Sequence, residues 1–185
     1  MKLPIVAYGD PVLKKKCAEI DQSYPDLNRL IENMWDTMYN AWGVGLAAPQ
    51  IGLPIRLFIV DTGDKEEKKE GFKQVFINPQ IIEETGEPWA FTEGCLSIPD
   101  IRESVSRKPN VRIRFFDADW NEHEEEFTGM PARVIQHEYD HIEGKLFTDT
   151  LGALRKTMLK GKLDAISKGN IKVDYRMKFP NQKKR

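Results

Sequence analysis

Apolar positions along the 185-residue chain fall into blocks with two different periods. Between residues 26 and 42, Leu27, Leu30, Ile31, Met34, Met38 and Trp42 recur three or four apart, the spacing of one face of an α-helix. Pro25 just before this block and Gly43 just after it are ordinary start and stop signals. The next blocks are short and β-rich. Residues 55–60 lie between Pro54 and Gly63 and read as a strand. Residues 74–77 and 81–84 read as two strands flanking a turn built on Asn78-Pro79. Residues 111–116 alternate, turn through 117–121 and pair with 123–127 as a hairpin. A second helix is expected to begin near Pro131, capped by Thr128, and to end at Gly144. A third runs from about 154 to 167. Strands gathered mid-chain, with helices before and after, predict an α+β fold rather than alternating βαβ units.

Composition narrows the partners. Lys and Arg number 28 against 29 Asp and Glu, so no global field draws the chain to nucleic acid or anionic lipid. No direct nucleic-acid-binding motif stands out, and no apolar run approaches the length of a membrane span. The opening residues are interrupted by Pro4, Gly9 and Asp10 and make a poor signal peptide. Cys17 and Cys95 are too few for a disulfide framework, which predicts reduced thiols and a cytoplasmic location. The length suits one domain over 1–185, with residues from about 170 to 185 as a short C-terminal extension. The charged run 64–71 reads as a solvated surface loop.

The second helix carries His137-Glu138-Tyr139-Asp140-His141, an H-E-x-x-H pattern. At 3.6 residues per turn the two imidazoles stand about 40° apart around the axis and about 6 Å apart along it, so both can converge on one cation. Glu138 lies on the adjacent edge, within reach of a water beside that cation. A catalytic site of this kind needs a third protein ligand and an open position. Phe147 stands where one metallopeptidase group has its third histidine, and no Glu follows Glu143 to serve as in another. The third ligand must come from upstream, and His123, Cys17 and Cys95 are the candidates. His123 lies in an acidic run that reads as a solvated strand, and Cys17 as a small filler residue. Cys95 occupies a tight segment, Glu93-Gly94-Cys95-Leu96-Ser97-Ile98-Pro99, and its sulfur would complete a half-built site. A metallopeptidase with an unrecognised third ligand, a closed structural zinc site and a cysteine hydrolase using Cys95 all remain open on the pattern alone.

A third segment, Gly43-Val44-Gly45-Leu46-Ala47-Ala48-Pro49-Gln50, imitates a dinucleotide-binding glycine loop. A helix precedes it and a strand follows, the reverse of what such a fold requires. The other functional reading is a substrate wall of backbone N–H groups, with the Gln50 amide as donor to a developing oxyanion.

Together, GVGLAAPQ, EGCLS and HEYDH, in this order and spacing, resemble the three signature motifs of peptide deformylase, a family that removes the N-terminal formyl group from nascent polypeptides. Tyr8-Gly-Asp-Pro-Val-Leu13 is similar to the family's start, and Arg102 and Arg107 continue its second motif. The resemblance implies central antiparallel sheets wrapped around a buried metal-binding helix, with flanking N- and C-terminal helices. It implies that Cys95, His137 and His141 hold one divalent metal ion, with Fe(II) as the physiological ion and Zn(II), Ni(II) or Co(II) accommodated. Glu138 would move the proton, while Gln50 and the Leu96 N–H would steady the formyl oxygen. Gly43, Val44, Gly45, Glu93, Gly94 and Val134 would bind the substrate, an N-formylmethionyl peptide. That substrate class brings transient ribosome association with it, weakly supported by the basic end Lys183-Lys184-Arg185.

Overall fold

The structure, a computed structural model, describes residues 1–63 and 72–183. The expected solvated loop at 64–71 and the last two residues of the basic end lie outside the described residues.

In chain order the elements are β1 (Ile5–Val6), α1 (Leu27–Asn40), β2 (Gly45–Ala47), β3 (Leu57–Asp61), β4 (Lys73–Thr85), β5 (Trp89–Cys95), β6 (Ile98–Arg107), β7 (Asn110–Phe116), β8 (Glu122–Thr128), α2 (Gly129–Ile142), α3 (Ala153–Ser167) and β9 (Met177–Lys178). Five strands form an antiparallel sheet in the order β2-β3-β4-β7-β8. β5 and β6 make a separate hairpin, and β1 pairs with β9 in parallel. The fold is α+β, as the clustering of strands predicts.

Both faces of the sheet are covered near β3, which explains why that strand is apolar at every position from Leu57 to Val60. Leu57 and Ile59 join the cluster of Ile31, Met34 and Met38 from α1. Phe58 and Val60, one pleat away, join Ala132, Ile135 and Ile142 of α2. Phe76 stands between Phe58 and Phe115, with ring centroids 4.7 and 4.4 Å away, and fills the layer beneath α2. The metal-motif helix is therefore packed on a rigid floor. A third cluster ties Ile98, Ile101 and Val105 of β6 to Leu159, Leu163 and Ile166 of α3. No helix among the described residues is long and apolar enough to cross a membrane.

The helices start and stop within two residues or so of their expected ends. Thr128 sits at the cap of α2, but its side chain makes no capping bond there. The larger correction concerns Asn78-Pro79, which is not a turn between two strands. β4 runs straight through it, with a slip in register against β7 between Ile77 and Gln80. Asn78 takes a left-handed conformation (φ 48°), which its short polar side chain tolerates. That side chain accepts from the Ile20 N–H at 3.0 Å and donates to the Ile20 carbonyl at 2.7 Å. Pro79 cannot donate to the ladder, and its carbonyl accepts from Arg56 Nη2 at 2.7 Å instead. The residues have turn chemistry, but the continuous partner strand makes the feature a bulge. Also unexpected is the β5–β6 hairpin. Its register runs from Trp89↔Arg107 to Gly94↔Arg102 and then slips to Cys95↔Ile98, leaving Leu96 and Ser97 as a tight turn.

Candidate metal centre

Helical spacing puts His137 and His141 on one face of α2, and both rings are buried. The slip in the β5–β6 hairpin delivers Cys95 to that face. Ligand atoms of Cys95, His137 and His141 all lie within 4.8 Å of one another. Cys95 Sγ is 3.3 Å from His141 Nε2. A tetrahedral cation with ordinary metal–sulfur and metal–nitrogen bonds would set that separation at about 3.5 Å, so the donor set fits one divalent ion. Sulfur and imidazole donors suit a borderline transition metal rather than Mg(II) or Ca(II).

The orientation of His137 is set from behind. Its Nδ1 lies 2.9 Å from Glu93 Oε2, which turns Nε2 toward the other two donors. Glu93 also accepts from Arg107 through Nε at 2.7 Å and Nη2 at 3.0 Å, and from Arg133 Nη1 at 2.7 Å. Arg107 Nη1 continues to Asp140 at 2.8 Å, one residue before His141. Burial alone would raise the Glu93 carboxyl, but the bonds from His137 and Arg107 outweigh it and hold the group down at about 2. Burial works against a charge on His137, yet its bonds to Cys95 and Glu93 raise its pKa. His141 is held well below the ordinary histidine value by burial and by His137 beside it.

Glu138 is buried, and burial pushes its carboxyl up to about 7. Its Oε2 has no hydrogen-bond partner among the described residues. Gly45 lies directly against this side chain, and a Cβ there would overlap the Glu138 carboxylate. Gly43 is similarly pressed against Leu96. Here the glycines are needed for close approach, not for turning. Gln50 sits in a 3-10 turn, Ala48–Ile51, where its Oε1 accepts from the Ala47 N–H at 2.9 Å. This fixes its Nε2 toward Cys95 Sγ at 3.5 Å and Ser97 Oγ at 3.4 Å.

A cleft of about 450 Å³ opens onto these groups, walled by Val44, Gly94, Leu96 and Val134. The structure thus brings Cys95, His137, His141, Glu138, Gln50 and the glycine segment to one place. His123 is elsewhere, bonded to Asp117 at 2.8 Å and stacked on Phe115. Cys17 is buried beside the end of α2, where its N–H donates to Ile142 and burial lifts its thiol to about 11. Glu93, expected to bind substrate, lines the cleft. Its carboxylate is committed to two guanidiniums and His137. Two further residues escape sequence reasoning. Arg133 is buried and bridges Glu93, the Val105 carbonyl (3.0 Å) and the Trp89 carbonyl (2.6 Å). A charged residue four positions before His137, on the stripe that must face inward, is the signal that marks it. Tyr175 reaches the cleft from near the C-terminal end, with no local pattern to announce it.

Residues 2–157 match the family model described as Polypeptide deformylase. The peptide deformylase of Christiangramia forsetii is 61% identical, covering 100% of this chain and 99% of that protein. The crystal structure of a peptide deformylase from Legionella pneumophila superposes with a TM-score of 0.81 at 37% identity, over 92% of this chain and 98% of that one. A class I type b peptide deformylase from Acinetobacter baumannii, crystallised with Met-Ala-Ser bound, superposes with a TM-score of 0.76 at 33% identity, over 82% of this chain and 99% of that one.

Proposed function

The chain belongs to the polypeptide deformylase family, metal-dependent enzymes that remove the formyl group from nascent peptides, and from that premise we propose a role for each group in the cleft. Cys95 Sγ, His137 Nε2 and His141 Nε2 hold one divalent cation, Fe(II) in the cell, with Zn(II), Ni(II) or Co(II) as substitutes that the same donors accept. The cation supplies Lewis acidity that makes water ionisable near neutral pH.

Glu138, enclosed by Gly45 and its own helix, takes a proton from the attacking water at Oε2 and delivers it to the departing amine. Gln50 Nε2 and the Leu96 N–H face the formyl oxygen as it gains charge. The substrate peptide lies along β2. That strand is the edge of the five-stranded sheet, so Gly45 can offer backbone groups strand-fashion, with Gly43 and Val44 leading into it: the Gly43 N–H donates to Met38 O and the Val44 carbonyl accepts from the Asp61 N–H. The methionine side chain enters beside Val44 and Val134, with Gly94 also lining the cleft. Glu93 acts through His137 and does not touch the substrate. The Met-Ala-Ser bound by the Acinetobacter baumannii structure supports a peptide beginning with methionine as the ligand class. The N-formylmethionyl substrate is met in the cytoplasm, as the chain leaves the ribosome.

The carrying observation is the convergence of the three donors with Glu138 buried beside them. Purified protein, loaded with Fe(II) under anaerobic conditions, should release formate from a formyl-methionyl peptide, lose that activity to a chelator and regain it with metal. Glu138→Gln should keep the metal and lose at least about 10²-fold in kcat. The 3.3 Å approach of Cys95 to His141 also suits a cysteine hydrolase, whose activity would survive the chelator. Absence of formate release from the iron-loaded protein would overturn the assignment.

A further inference from the structure

The metal-bearing turn is held from a part of the chain that the family match does not reach. Residues after 157 lie outside that match, yet they return to the cleft. After α3 the chain runs back so that β9 pairs with β1, with Ile5 N–H donating to Arg176 O and Ala7 N–H to Lys178 O, both at 2.9 Å. Asn181 N–H closes onto Ser167 O at 3.0 Å, tying the end of this segment to the end of α3. Just before this anchored stretch, Tyr175 passes into the cleft wall and its hydroxyl donates to the Leu96 carbonyl at 2.7 Å. Its ring rests against the cluster containing Met38, Leu46 and Leu96.

Leu96 is the residue after Cys95, at the point where the hairpin register slips. The Cys95↔Ile98 pair closes this two-residue turn, and its setting against the rest of the site depends on partners outside the hairpin, three among the described residues. Tyr175 holds the Leu96 carbonyl, the Tyr8 N–H holds the Ser97 carbonyl at 2.8 Å, and Gln50 Nε2 faces Ser97 Oγ. Tyr8 lies two residues after β1 and Tyr175 two residues before β9, so two of these restraints come from chain flanking the β1–β9 pair.

We infer that the C-terminal segment is a working part of the site and that Tyr175 is a positioning residue, fixing the Cys95–Leu96 turn through the Leu96 carbonyl. The inference rests on the deformylase reading above. In it, one end of this turn carries a metal ligand and the next residue carries an N–H aimed at the formyl oxygen. A small rotation of the Leu96 peptide would spoil both without removing any group that touches substrate.

The test is Tyr175→Phe in the full-length, iron-loaded enzyme, with two readouts. In steady-state formate release, kcat should fall about three- to tenfold while KM changes less than twofold, since the loss falls on transition-state alignment. In the metal-free protein, the alkylation rate of each cysteine is followed by mass spectrometry. Cys95 should react at least about threefold faster, with buried Cys17 unchanged as the internal reference. An unchanged kcat, a rise in KM alone, or equal acceleration at both cysteines would overturn the inference, the last because it reports general loosening. If the wild-type enzyme itself releases no formate, it is the functional reading that fails, and the alkylation comparison still decides whether Tyr175 holds the turn.

Discussion

Two groups of arginine–carboxylate pairs, one buried beside α2 and one exposed on β7 and β8, have opposite consequences. One is the knot of Glu93, Arg107, Arg133 and His137, whose side chains are 2–11% exposed. The other is the ladder on β7 and β8, where Arg112 and Arg114 meet Glu122 and Glu124 at 36–60% exposure. The distances are similar, 2.7–3.0 Å in the knot and 2.9–3.8 Å on the ladder. Solvent separates them. On the ladder, water and salt screen each pair, and either partner can be rehydrated if the other is lost. In the knot every charge has been stripped of water and depends on its neighbours, so removing one strands the rest. The knot is also where the ring of a metal-binding histidine is aimed. The lesson is that a surface charge pair here mainly maintains solubility and strand register, whereas a buried one carries geometry to the site.

The sharpest way to break this contrast is Glu93→Ala. It leaves Arg107 and Arg133 buried without their shared carboxylate, and stability should fall by about 3–5 kcal/mol in urea denaturation. A loss under 1 kcal/mol would mean that water enters the knot freely.

A second test uses acid. The Glu93 carboxyl sits at about 2 in the folded protein against an ordinary 4.5. Because the unfolded chain takes up this proton first, the contribution of Glu93 is complete above about pH 4.5 and is lost as the pH falls toward 2. Measured against Glu93→Gln, the stability advantage of the wild-type protein should shrink across that window. A constant difference would show that the carboxylate is not held down by its partners.

The smallest effect is expected on the ladder. Arg114→Ala should leave the melting temperature within about 2 °C, and added salt should shrink even that difference. A shift comparable to that of Glu93→Ala would erase the distinction between the two regions.

What could be read from the chain alone follows the range of the interactions involved. Helix α1 was legible because its apolar stripe repeats within a few residues, and α2 because Thr128, Pro131 and Gly144 mark its ends just as locally. The pairing of His137 with His141 was legible for the same reason, since one helical turn sets their relation whatever surrounds it. The β7–β8 hairpin, joined by a short turn, was equally local. Asn78-Pro79 marks the limit. Its turn chemistry is real, but whether a turn or a bulge results depends on β7 running unbroken alongside, where the pairs Ile77↔Phe116 and Gln80↔Arg114 flank it from far along the chain.

The same division runs through the site. H-E-x-x-H requires a third donor but does not say which; the sequence favours Cys95 over Cys17 and His123, but only the fold brings its sulfur to the histidines. Hairpin register then sends Cys95 to the histidines, while Cys17 goes under the end of α2 and His123 to Asp117. Glu93 behind His137, Arg133 bridging to β5 and Tyr175 arriving from beyond α3 belong to the same class of decision. Sequence by itself determined which helices form and which face of α2 carries the paired imidazoles, because backbone periodicity is a local property. Only the tertiary structure decided what meets that face, because contacts between distant segments are selected by how sheets, hairpins and buried charges satisfy one another at once.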